Sequence, residues 1–183
     1  MSRPKNEDKG LLLQGKALGR HHRFQQALAE FTAMFAADTN ERSIALVGAT
    51  FLDTTLEDIL RNFLVDDEKE VTRLLEPDQV LGTYGSRTTV VYCLGLIPKI
   101  IRDDLRLVGK IRNRFAHDLN ASFDDDPIRS WCLSLKWHET SMFMKPPDGA
   151  TVRDIYQVGV NQLICYLNGI IALKEQRKIQ DNP

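Results

Sequence analysis

The sequence has few cysteines, no excess of either charge and no long apolar run, and each of these shortages excludes something. Cys93, Cys132 and Cys165 are odd in number, far apart and in no C-x-x-C arrangement. That argues against a disulfide framework and against Cys/His zinc spacing. Three reduced thiols in or near a core are expected instead, and with them a reducing compartment, the cytoplasm. Lys and Arg number 24 against 25 Asp and Glu, for a formal charge of −1. A surface built throughout to coat nucleic acid is thereby excluded, although a local basic stripe is not.

No targeting or membrane segment is expected either. The opening "MSRPKNEDKG" is followed by "LLLQGKALGRHH", which lacks the continuous apolar stretch of a signal peptide. Ile155 to Leu173 carries no charged residue and is close to a membrane span in length, but Gln157, Asn161, Gln162 and Asn168 interrupt it and fall largely on one polar side. Val152, Ile155, Tyr156, Val160, Leu163, Leu167, Ile170 and Ile171 recur at steps of three and four, the period of an amphipathic core helix. A glycine-rich phosphate loop, a G-x-S-x-G elbow, a helix-turn-helix, a zinc finger and a basic arm are all missing. No cofactor and no metal are expected. His21 and His22 are adjacent, a poor metal geometry, His138 is isolated, and Asp124, Asp125 and Asp126 read as helix capping.

What is present is helical periodicity. The fold class expected is all-α, a single-domain bundle of about six to seven helices, with a flexible tail over residues 1–18 and a helical domain over 19–178. A first helix is expected over "RFQQALAEFTAMFAA". A longer one follows Thr39 or Asn40, either a competent cap, with Ile44, Val47, Gly48, Phe51, Leu52, Leu56, Ile59, Leu60 and Phe63 on its apolar face. "DDEKE" opens a short helix that Pro77 stops. Asp126-Pro127 reads as N-cap and first helical residue of another, and "MKPPDGA" breaks the chain before the last. Strand alternation is weak and confined to "SMFM".

The polar residues worth weighing lie on the helix that starts near Pro98. Ile100, Ile101, Leu105, Val108, Ile111 and Phe115 form its apolar face. Lys99, Arg102, Arg106, Lys110 and Arg114 follow one another at steps of three and four, a basic stripe able to track phosphates, with Asp103 and Asp104 weakening its field. At its end stands "RNRFAH". In a continuous helix Asn113 and His117 lie about 40° apart, whereas Arg112 and His117 diverge by about 140°. Arg112 and His117 therefore meet at one phosphate only if the helix ends near Ala116 or a second subunit in a twofold dimer supplies one group. Were they to meet, His117 would shuttle a proton, Arg112 would hold phosphate oxygens and Asn113 would orient either, without a metal. The simpler expectation is that Arg112 pairs with a carboxylate while His117 or Asn113 satisfies helix-end carbonyls.

Arg87 is the other informative charge. Tyr84, Arg87, Val91 and Leu94 share a helical face, which turns Arg87 toward apolar neighbours, where a guanidinium needs an anion. Asp53 and Glu57, one turn apart, are the candidates for a structural ion pair.

Three stretches, "ALVGATFLDTTLEDILRNFLVDD", "LGTYGSRTTVVYCLGLI" and "DLRLVGKIRNRFAHDLNASFDDDPI", together resemble the mannitol operon repressor family, in the same order and over roughly residues 40–136. The resemblance implies an all-helical cytoplasmic regulator with no recognised DNA-binding motif, acting through a protein partner such as a DNA-binding regulator, and expected here as a homodimer. The shorter "RNRFAH" resembles the R-x-x-x-x-H signature of the HEPN superfamily of small helical-bundle ribonucleases. That resemblance implies catalytic Arg112 and His117 with Asn113 accessory, and RNA as the alternative partner, cleaved or merely bound. The longer match favours the non-enzymatic regulator.

Overall fold

The computed structural model describes Phe35, residues 40–140, Pro146 and residues 148–174, the last three of these without their side chains. The chain divides into two compact units, Met1–Ala36 and Ala37–Pro183. Of the first, only Phe35 is described, in a helix. The tail over 1–18, the rest of the helix expected over "RFQQALAEFTAMFAA", His21, His22 and "SMFM" lie outside the described residues.

The second unit is all-α. Among the described residues there are seven helical segments and no strand: α1 Glu41–Phe63, α2 Glu68–Leu75, α3 Tyr84–Cys93, α4 Lys99–His117, α5 Ile128–Leu133, the single turn α6 Trp137–Thr140, and α7 Val152–Lys174. The two long helices, α1 and α7, pack along each other, and α4 lies against α1, α3 and α5. No described helix is long and apolar enough to cross a membrane.

Helix boundaries follow local chemistry. Asn40 caps α1 by accepting from the Ser43 N–H at 3.0 Å. Asp67 caps α2 by accepting from Lys69 and Glu70, and the chain turns extended at Glu76 ahead of Pro77. Thr83 and Ser86 form a reciprocal capping box at the start of α3. That helix ends where Gly95 takes a positive φ of 68°, while its N–H donates to Tyr92 O and the Leu96 N–H to Val91 O. The loop before α3 turns tightly at Gly82, where a Cβ would run into the carbonyls of Glu76 and Pro77.

The core is built from the expected faces. Ile44, Leu52, Leu56 and Leu60 of α1, Ile101, Leu105, Val108, Ile111 and Phe115 of α4, and Tyr156, Val160, Leu163 and Leu167 of α7 are buried. Phe123 stacks between Phe115 and Tyr156, with ring centroids 4.9 and 5.0 Å away. The Tyr156 hydroxyl is paired inside by donating to Ala45 O at 3.2 Å.

Four expectations are corrected. Pro127, not Asp126, occupies the N-cap position of α5, and it makes no side-chain cap. Phe63 and Leu94 are exposed, because each lies at or past the end of its helix, where the packed face runs out. Only Cys132 is in the core; Cys93 and Cys165 are exposed. Gln162 belongs to the buried side of α7 rather than to its polar side.

Candidate functional site

The charged residues separate into a buried clamp and a cationic pocket. Arg87 is 6 % exposed and engages all three guanidinium nitrogens. Nη1 lies 2.9 Å from Asp53 Oδ1, Nη2 lies 3.0 Å from Glu57 Oε2 and donates to Leu75 O at 3.0 Å, and Nε donates to Leu81 O at 2.9 Å. One side chain thus ties α3 to α1, to the end of α2 and to the loop between α2 and α3. Arg61 continues the network, bonding Glu57 at 2.8 Å and Glu68 at 3.0 Å. Packed on three sides by such partners, Arg87 holds its elements in register.

Beside the clamp, a pocket of about 530 Å³ opens between α1, the Gly82–Thr83 turn, the start of α3 and one face of α4. Its wall on α4 is Arg106, Gly109, Lys110, Arg112 and Asn113; opposite stand Asp53, Thr83, Tyr84, Gly85 and Thr88. Gly109 sets the approach of the two helices, since a Cβ there would sit 3.0 Å from Tyr84 Cε1. The Tyr84 hydroxyl donates to Leu105 O at 2.8 Å. Burial, helped by Tyr156 and Asp53 and opposed by Arg112, pushes its phenol well above the usual tyrosine range. Tyr84 therefore stays a neutral wall.

The basic stripe does not act as one row. Arg102 is occupied by Asp103 at 2.6 Å and lies over the Tyr92 ring at 4.3 Å. Arg114 pairs with Asp118 at 3.0 Å, and Lys99 stands at the first position of α4, away from the pocket. Only Arg106 and Lys110 reach the pocket, Lys110 with its ammonium 5.9 Å from the Trp131 ring centroid.

The triplet divides too. α4 is continuous through His117, so Arg112 and His117 stay about 140° apart within one chain. Arg112 and Asn113 line the pocket, joined by an Arg112 Nη1 to Asn113 Oδ1 bond of 2.9 Å, and His117 is not among the lining residues. His117 is exposed, and its side chain makes no hydrogen bond among the described residues. The simpler expectation also fails in its details: Arg112 takes an amide, not a carboxylate, and the carbonyl just past the helix end, that of Asp118, is bonded by Arg42 at 2.6 Å.

Asp104, expected to weaken the field of the basic stripe, instead faces the core. It is 2 % exposed and accepts from the N–H groups of Lys136 at 3.1 Å and Trp137 at 2.8 Å, fixing the turn that begins α6. Its spacing from Ile101 and Val108 already placed it on the core face of α4. No group of three or more potential metal ligands occurs among the described residues.

No family model matches the chain, and no curated protein matches it. The fold, however, is a known one. A chain in the X-ray structure of the MtlR–HPr complex from Escherichia coli superimposes with a TM-score of 0.55 and 23 % identity, over 82 % of this chain and 97 % of that one. The likeness establishes an MtlR-like helical fold.

Proposed function

We propose that this protein is a regulator of the mannitol operon repressor type that works by binding a protein partner and lacks a recognisable DNA-binding motif. The observation that carries the reading is the fold shared with MtlR over nearly the whole of that chain, in a structure where MtlR is bound to another protein, HPr. The sequence resemblance to the mannitol operon repressor family points the same way. A surface suited to a partner is present: a shallow, mainly apolar groove at the α1–α2 corner, lined by Leu64, Val65, Val71 and Leu74. Val65 is 56 % exposed there, and Val80, just beyond the groove's Gln79, is 75 % exposed. Purified HPr from the same organism should comigrate with the full chain on a sizing column; separate elution at concentrations of roughly 100 µM, well above a typical transient-complex Kd, speaks against the reading.

A second reading, a HEPN-like ribonuclease or a non-cleaving RNA-binding scaffold, is favoured by the convergence of Arg112 and Asn113 with Arg106 and Lys110. It needs a twofold dimer to bring His117 of one copy to Arg112 of the other. Incubation with transfer and single-stranded RNA in EDTA tests it. Cleavage lost in both Arg112→Ala and His117→Ala supports the nuclease; no cleavage by any variant removes it.

A further inference from the structure

We infer that the pocket between α3 and α4 is a binding site for a small organic phosphate, a phosphate monoester or diphosphate of about sugar-phosphate or mononucleotide size. This goes beyond the partner-binding reading and does not rest on it.

Charge is the first argument. Arg106, Lys110 and Arg112 place three cations on one wall. The single acid among the described lining residues, Asp53, is already paired with Arg87 at 2.9 Å. The field inside is therefore positive, although the whole chain is nearly neutral. Such a cluster repels itself and is relieved by an anion carrying two or more negative charges.

Unspent hydrogen-bond capacity is the second. Among the described residues Arg106 has no partner, and Arg112 is bonded only to the Asn113 amide oxygen. Because that oxygen is committed to Arg112, Asn113 is left with its two N–H donors. The Tyr84 and Gly85 N–H groups, first in α3, have no acceptor within the helix. The space where a Gly85 Cβ would stand is open, so a ligand oxygen can come close to that backbone. The pocket thus offers donors, and its one carboxylate is already neutralised.

Size is the third. About 530 Å³ lies within the range of small-molecule sites and is bounded by three separate chain segments. A nucleic-acid backbone needs an open track along the surface, and the outer cations of α4, Arg102 and Arg114, are already engaged by Asp103 and Asp118.

The test is a ¹H–¹⁵N titration of the full chain with pyrophosphate, AMP and glucose 6-phosphate, beside glucose and a short oligoribonucleotide. The expected result is a saturable response to at least one of the phosphates at the amides of Tyr84, Gly85, Gly109 and Asn113, and none to glucose. Arg106→Ala/Lys110→Ala, two exposed positions that leave folding intact, should weaken it by at least about tenfold. Three results would overturn the inference: no saturable shift with any of the phosphates up to roughly 10 mM, an unchanged affinity in the double variant, or a response to the oligoribonucleotide alone.

Discussion

Arg87 and Asp53 meet at 2.9 Å, and the same Asp53 forms part of the wall of the cationic pocket. A structural clamp and a candidate site therefore share one residue. Arg87 holds α1, α3 and the loop between α2 and α3 together, and it also neutralises Asp53, the one acid among the described residues that line the pocket with Arg106, Lys110 and Arg112.

Removing that clamp is expected to be costly. Arg87→Ala leaves Asp53 and two carbonyls without their donor and Glu57 with Arg61 alone, and the loss should be about 3 kcal/mol, at the low end for a buried pair because both carboxylates keep some contact with water. Urea unfolding measures it. A change of a few tenths of a kcal/mol would show that the clamp contributes nothing to stability.

Gly82→Ala attacks the same region from the backbone. Its Cβ would collide with the carbonyls of Glu76 and Pro77, so the turn presenting the Leu81 carbonyl to Arg87 must shift. A loss of about 2 kcal/mol is expected, whereas Gly85→Ala, which meets nothing within 4 Å, should change stability little.

Asp104 makes a pH prediction. Burial, the largest influence, pushes its carboxyl above the ordinary 3.8, against the opposing pull of the Trp137 and Lys136 N–H groups. Between 3.8 and the raised value the folded chain holds more protons than the unfolded one, so stability falls as pH rises through that window. The wild type's margin over Asp104→Asn should shrink as pH increases there. Paired denaturant titrations would detect it; a margin that grows would reverse the sign of the shift.

The thiols should differ in reactivity. Cys132 is buried, and desolvation pushes its thiol up to about 12, whereas Cys93 and Cys165 are exposed. A disulfide reagent at neutral pH should label two thiols in the native protein and the third only on unfolding, as counted by mass spectrometry. Rapid labelling of Cys132 would contradict the core placement.

Much of this fold was legible in the sequence, for identifiable reasons. Ile101, Leu105, Val108, Ile111 and Phe115 mark the buried side of α4 because a helix repeats every 3.6 residues and the core selects apolar side chains. The stop at Pro77 follows from backbone chemistry alone. Position on a helix does not tell which partner a charge will find. Arg102 and Arg106 share a stripe, yet one is taken by its neighbour Asp103 and the other opens onto the pocket. The pocket itself depends on Gly109 letting Tyr84 approach, a contact between segments some 25 residues apart that no local pattern encodes. Asp104 was readable on its spacing, but its acceptors' partners, the N–H groups of Lys136 and Trp137, come from a distant turn.

The measurement that tests the central claim most directly is a calorimetric titration of the full chain with purified HPr from the same organism, run beside a mixed transfer and single-stranded RNA control. A regulator acting through protein contacts should bind HPr saturably with a Kd of about 10 µM or tighter, the range of a specific transient complex, and leave the RNA intact. No heat with HPr, together with RNA cleavage that Arg112→Ala and His117→Ala both abolish, would contradict it.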